Sequence, residues 1–374
     1  MALGPLIRDL RTSLGYSQSR LADVLCESSS RATVTREDVS RRESGKRTPG
    51  PFWLRHLASA LEVPLEVLEG AKLQRRQFLT NAAATAIAPI VASDLLRSGF
   101  SAALATDAPS LEYWKDKLVI YGRDYMSLGA AEIQKRLSHD LLVLQQQLET
   151  PGAWGIAAKL MTLYGKTFPG SDGAKAANWY RLAAQAADRS RDLDARVWVR
   201  GRAAIALGYE GASLGLADAF ADQAMDIDDR PSLGRLNAVM GKAHAAAIRG
   251  NDEQAWRLAR EGRRIFDSVG SEDQTSDYAV PFWRMNVFLS LLAARLGNEN
   301  EAMRAQDAAL GELPESLPRF KTHLEMHRGL MLARSGDETG GVAYARSALD
   351  RLPPEKHSLT LRLLMEEVRS GNGH

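Results

Sequence analysis

One phrase recurs through the second half of this 374-residue chain and restricts its fold more than any other feature. Ala247-Ile248-Arg249-Gly250-Asn251-Asp252, Ala294-Arg295-Leu296-Gly297-Asn298-Glu299 and Ala333-Arg334-Ser335-Gly336-Asp337-Glu338 follow one another at spacings of 47 and 39 residues, and Gly211 lies another 39 before Gly250. In each copy an amphipathic stretch runs into the glycine and an Ala-rich stretch follows it. From Leu111 onward such stretches are 14 to 22 residues long, are separated by short Gly, Asn, Asp or Pro punctuation, and show no strand alternation. Small residues at the corner let two antiparallel helices close tightly. Neighbouring hairpins then stack to bury the faces that no single hairpin buries. The expectation is an all-α chain whose residues 111–374 form a solenoid of antiparallel helix pairs. A generic helical bundle is the alternative.

The first seventy residues carry a different pattern. Pro5 to Leu14 reads as a helix with Leu6, Ile7, Leu10 and Leu14 on one stripe. Ser17 caps a second helix through Leu25, with Leu21, Ala22 and Leu25 facing inward. Thr35 starts a third, with Asp38 as a shortened capping box and Val39 in the core. Gly15-Tyr16-Ser17-Gln18 with Leu21-Ala22, then Val39-Ser40-Arg41-Arg42-Glu43-Ser44-Gly45, then Pro49 or Pro51 and Leu57-Ala58-Ser59-Ala60-Leu61 with Val63 complete the series. This order resembles the Xre/Cro/C1-type helix-turn-helix family over about residues 5–70. Two departures stand out. The connection from Cys26 to Val34 is longer than the family's, and Arg42 replaces the aromatic residue that follows Ser-Arg.

The resemblance implies a five-helix DNA-binding domain at residues 1–70 whose third helix enters the major groove. Motif position places Gln18 on a phosphate or base, and Thr35, Arg36, Glu37, Ser40 and Arg41 on base edges. An arginine pairs bidentately with guanine and a glutamate accepts from cytosine. Lys46, Arg47 and Arg42 are assigned to phosphates, which position without specifying. Charge agrees: residues 1–76 hold 13 Lys+Arg against 9 Asp+Glu, while the remainder holds 35 against 37. That excess is modest for one copy, so two copies acting together, as a homodimer on double-stranded DNA, are expected.

Residues 71–110 are read as a connecting helix. Within them Arg75-Arg76-Gln77-Phe78-Leu79 precedes an Ala-rich run with Pro89, similar to a twin-arginine export signal. A whole domain precedes it and Asn81, Thr85, Ser93 and Asp94 interrupt it, so a packed linker is expected, with no membrane span and a cytoplasmic location.

Other chemistry is thin. The single cysteine, Cys26, rules out an internal disulfide and fits a reducing compartment. His323 and His327 are four apart, but Glu325 is not in the zinc-hydrolase position and no third ligand is evident, so no metal is expected. Gly165-Lys166-Thr167 lacks the upstream glycine of a phosphate loop and reads as a turn. No enzyme activity and no cofactor are expected.

The 39- to 47-residue phrase resembles tetratricopeptide repeats, where Gly and Ala hold the close-packing positions, although its spacing is longer. Stacked hairpins of that kind make a groove. Its candidate effector-binding residues are Asn178, Arg200, Asn237, Trp283, Arg284, Asn286 and Arg328, with Trp154 and Trp198 as apolar walls. The two-part layout resembles peptide-pheromone regulators that join an Xre-type domain to tetratricopeptide repeats. It implies a transcriptional regulator, a homodimer, whose repeats bind a signalling peptide or small molecule. Two alternatives stay open: repeats that dock a partner protein, and repeats that only dimerise a constitutive repressor.

Overall fold

The computed structural model describes residues 3–29, 34–63, 109–168 and 173–370, with Leu65, Leu68 and Ser101. Every regular element among them is helical. The N-terminal helices are α1 (Leu3–Ser13), α2 (Gln18–Ser29), α3 (Arg36–Glu43) and α4 (Pro51–Ala60). Ser17 Oγ accepts the Arg20 amide at 3.0 Å, which starts α2 where the sequence places it. The helix runs on to Ser29, four residues past the expected end, so half of the long Cys26–Val34 connection is a further helical turn. Leu6, Ile7, Leu10, Leu21, Leu25, Val39, Leu54, Leu57 and Leu61 are buried together, as their spacing requires. Leu68 is fully buried in the same core. The rest of the expected fifth helix, and the Arg75–Leu79 segment, lie outside the described residues.

The repeat region begins with α5 (Leu111–Ser127), α6 (Ala130–Gln145), α7 (Pro151–Gly165) and α8 (Gly173–Ser190). Four hairpins follow: α9 (Leu193–Glu210) with α10 (Leu214–Ile227), α11 (Leu233–Ile248) with α12 (Asp252–Val269), α13 (Phe282–Arg295) with α14 (Glu299–Glu312), and α15 (Pro318–Arg334) with α16 (Glu338–Asp350). A last helix, α17 (Leu359–Ser370), packs on α15 and α16 and returns to α9.

The recurring phrase is a helix stop followed by a helix start. Gly211, Gly250, Gly297 and Gly336 all sit at positive φ, between 64° and 101°, a region that side chains with a Cβ rarely adopt. Each closes the first helix of its pair with the same two bonds. At Gly250, for example, its own amide reaches Ala247 O at 3.1 Å and the Asn251 amide reaches Ala246 O at 2.9 Å. The next residue then caps the second helix: Asn251, Asn298 and Asp337 each accept an amide three residues ahead.

The seam between α9 and α11 is built on glycine. A Cβ on Gly241 would lie 2.6 Å from the Ala204 carbonyl carbon, and one on Gly201 or Gly208 would collide with the carbonyl oxygen of Gly234 or Gly241. The two backbones therefore touch.

The N-terminal core does not stand alone. It is continuous with buried residues of α8, α9 and α10, among them Tyr180, Leu207 and Phe220. A domain of about sixty residues buries only about 60% of its chain surface, so this shared core adds support where it is needed. Arg249 bridges the two parts, with Nη2 2.5 Å from Glu62 Oε2 and Nη1 2.6 Å from Asp218 Oδ2, and the Leu214 amide donates to Glu62 O at 3.3 Å.

Candidate nucleic-acid interface and repeat-domain cavity

Helix α3 is short, so its start has to be fixed locally. Thr35 Oγ1 accepts the Asp38 amide and Asp38 Oδ2 accepts the Thr35 amide, each at 3.3 Å, which is a full reciprocal cap. Arg47 Nη1 also donates to Asp38 Oδ1 at 2.7 Å. Partial burial opposes ionisation of Asp38, but the Thr35 amide and the Arg47 charge outweigh it and hold the carboxyl below its usual range.

Val39, Arg42 and Glu43 are the buried residues of α3, at the i, i+3, i+4 spacing of an inward face. What remains outward is Arg36, Glu37 and Arg41, all exposed, with Ser40 half-buried and Thr35, Lys46 and Arg47 exposed at the flanks. Seven of the nine residues assigned to DNA from the motif are thus exposed or half-buried on the helix and its flanking loops. Gln18 is half-buried at the head of α2, and its Nε2 donates to Glu43 Oε2 at 2.7 Å. Glu43 in turn holds Arg11, whose Nε lies 2.5 Å from Oε1. This buried Arg11–Glu43–Gln18 chain locks α1, α2 and α3 at fixed angles.

Arg42 is the correction. The sequence assigns it to a phosphate, yet it is only 3% exposed, with its guanidinium 4.5 Å over the Trp53 ring. Burial lowers its pKa, against the pull of Asp38. At the motif position where an aromatic residue was expected, the planar guanidinium lies over the Trp53 ring. Val39, Arg42 and Glu43 already stand at inward spacing in the sequence, so the signal was present.

The repeat-region candidates separate in the structure. Trp283 is fully buried, with its indole N–H on Gln274 O at 3.2 Å; it is core and lines no groove. Asn286 Nδ2 donates back to Phe282 O within its own helix, Asn178 is half-buried beside Arg181, and Arg328 is exposed. Trp154 is stacked by Arg189, and Trp198 is buried against Tyr278. Arg200 joins Asp188 and Gln223 at a cleft facing α1. Asn237 is 2% exposed with Oδ1 unpaired.

Arg284 leads to what the sequence did not show. Three buried cations meet one oxygen: Lys166 Nζ, Arg202 Nη2 and Arg284 Nη2 lie 2.5, 2.8 and 2.9 Å from Asp277 Oδ1. Arg284 Nη1 also donates to the carbonyls of Ser276, Asp277 and Ala279, which pins the loop before α13. Lys166, Arg202, Asp277 and Arg284, with Glu210, Arg319 and His323, line a partly open cavity of about 70 Å3. Burial works against the Asp277 charge, but Arg202 and Lys166 dominate and hold its carboxyl well below the ordinary range. Burial and the neighbouring Arg202 charge push Lys166 well below its own. Burial raises Glu210 to about 6, despite the Thr360 hydroxyl that donates to it at 2.7 Å.

Deeper in, Tyr209 Oη and Ser290 Oγ each lie 3.0 Å from a different ring nitrogen of His327, so that imidazole has no nitrogen left for a metal. Among the described residues no group of His, Cys, Asp and Glu has the proximity of a metal site, and no helix is long and apolar enough to cross a membrane.

The helix-turn-helix family model matches residues 7–68, which are a helix-turn-helix domain of the Xre type, the fold of DNA-binding regulators. No curated protein matches the chain. Among solved structures it is similar to Bacillus thuringiensis PlcR in complex with the peptide PapR7 and DNA, at 14% identity over 93% of this chain and 99% of that one, with a TM-score of 0.31.

Proposed function

With residues 7–68 a helix-turn-helix domain, we propose that the chain is a sequence-specific, dimeric transcriptional regulator whose helical repeats sense an effector. The observation that carries the DNA half is the outward face of α3. Arg36, Glu37 and Arg41 are exposed on a helix capped at Thr35 and locked through Glu43, while Lys46 and Arg47 flank it. A rigid helix presenting two arginines and a glutamate reads base edges, and the flanking cations take phosphates. One copy carries few cations for tight binding, so two copies reading half-sites one helical turn apart supply the affinity.

The effector half is supported by the contact between the two parts. Residues 1–70 act as the reader and 111–374 as the sensor. The reader sits directly on α8–α10 and is tied to α10 and α11 through Asp218 and Arg249. An effector that favours one curvature of the repeats changes the seat of the reader, which is a population shift between two arrangements. The chain acts on DNA in the cytoplasm.

The test is selection of bound fragments from the source genome with the purified protein. Enrichment of a palindromic site supports a dimeric operator-binding regulator. Fragments no more enriched than random DNA, with and without cell extract as a source of effector, would refute it.

A further inference from the structure

The cavity around Asp277 carries more positive charge than it neutralises. Lys166, Arg202, Arg284 and Arg319 supply four cations, and Asp277 and Glu210 supply two carboxylates. All of the cations are buried; Arg202, Arg284 and Arg319 are 5%, 4% and 8% exposed. A buried charge without a partner is expensive, and structures keep one only where something neutralises it. The hydrogen-bond inventory is also incomplete. Nε of Arg202, Nε of Arg284, Nδ1 of His323 and Oδ2 of Asp277 are buried without a partner, and all four residues line the cavity. Burial lowers the His323 pKa to about 3, so its ring is neutral and adds no charge.

We propose that this cavity binds a small oxyanion, a carboxylate or phosphate group, between the arginines that surround Asp277. Planar guanidinium donors match both groups, and charge-assisted bonds of this kind are about twice as strong as neutral ones. The dimensions limit the ligand. At about 70 Å3 the space takes a head group or a small metabolite. Arg319 Nη2 is held on Tyr125 O at 3.0 Å and the Thr360 hydroxyl on Glu210 at 2.7 Å, so both side chains at the cavity wall are already engaged. As the effector pocket the site rests on the sensing function above; as an anion site it does not.

Two substitutions give opposite signs, which separates binding from mere damage. Arg284→Gln removes a cation and should weaken the anion about tenfold or more, the usual loss for a charge-assisted contact. Asp277→Asn removes the resident carboxylate and leaves the cations unneutralised. That protein should melt early, bind the anion more tightly than the unmutated chain, and regain its melting temperature when the anion is added.

The experiment titrates the purified full-length chain and both variants with inorganic phosphate, succinate, acetate and chloride, read by calorimetry and thermal denaturation. Saturable binding of phosphate but not of the carboxylates, or the reverse, identifies the head group. Shifts equal to those of chloride for every oxyanion would overturn the proposal, as would Arg284→Gln and Asp277→Asn both binding more weakly. Operator affinity at saturating anion is measured separately. If it is unchanged, the anion site stands and the sensing function fails.

Discussion

Arg249 offers the sharpest test of how the reader is seated. Its guanidinium holds Glu62 of the DNA-binding domain through two nitrogens and Asp218 of α10 through a third. The three side chains are 31%, 28% and 27% exposed, so water screens the pairs in part. An exposed ion pair contributes about 0.2–1 kcal/mol, and a two-sided, partly bidentate bridge lies at or somewhat above the top of that range. Arg249→Ala should therefore weaken docking by about 1–2 kcal/mol and raise the undocked population about 5–30-fold. The structure supplies the reporter. The Leu214 amide is bonded to Glu62 O, across the same junction, so it is protected only while the reader is seated. Hydrogen exchange read by mass spectrometry on a peptide spanning Leu214 should speed up by that factor, while the interior of α11 stays unchanged. Arg230→Ala, which removes an exposed pair with Asp228 away from the junction, is the control. Equal Leu214 exchange in the Arg249→Ala and unmutated chains would refute the bridge as a docking element.

Three further outcomes are expected. Arg36→Ala or Arg41→Ala should cost about 1–3 kcal/mol at the cognate site and little on random DNA, whereas Lys46→Ala should weaken binding to all sequences and lower the salt slope by about one; titration at several salt concentrations checks both. Gly241→Ala gains helix propensity of about 1 kcal/mol but places a Cβ 2.6 Å from backbone, so overpacking of about 1–3 kcal/mol should win and lower the melting temperature, while Gly311→Ala, with open space around it, should raise it. Glu210, raised to about 6, contributes its stability in the protonated state: the contribution is complete below about 4.5 and is lost as pH rises through 6, so Glu210→Gln should match the unmutated chain at pH 4 and exceed it by about 2 kcal/mol at pH 8 in denaturant titrations.

Local rules in the sequence account for the hairpins and the reader. Gly250 followed by Asn251 is a helix stop and a helix start written side by side, and Thr35 with Asp38 is a cap within four residues. Arg42 was misassigned because its residue type outweighed its spacing; beside Val39 and Glu43 it belonged to the inward face. The charge cluster was beyond reach for a different reason. Lys166 and Arg202 lie 111 and 75 residues along the chain from Asp277, the acid they share, and each sits in an ordinary local context. Only the stacking of α7, α9 and the loop before α13 brings them together. Of the two neighbouring effector candidates, Arg284 lines the cavity and Trp283 fills the core.

The position of the cavity makes a coupled mechanism physically short. Lys166 and Glu210 line it on one side and, on the other, the apolar space beneath α1 where Leu6 and Leu10 rest. An anion that draws Lys166 toward itself, or shifts the ionisation of Glu210, alters the wall that supports the reader without any long relay. The energies are commensurate. Coupling between sites is typically about 1–3 kcal/mol, and the Arg249 bridge that steadies the same junction contributes about 1–2. A modest preference of the anion for one seat is thus enough to change operator occupancy several-fold. Linkage then makes a demand on both sites: whatever factor the anion imposes on operator affinity, saturating operator DNA must impose on anion affinity. Calorimetric titration of phosphate or succinate into the protein alone and into its DNA complex reads that factor directly. A factor of one in both titrations would mean that anion and DNA do not act on one shared equilibrium, and the junction under α1 would have no part in the response.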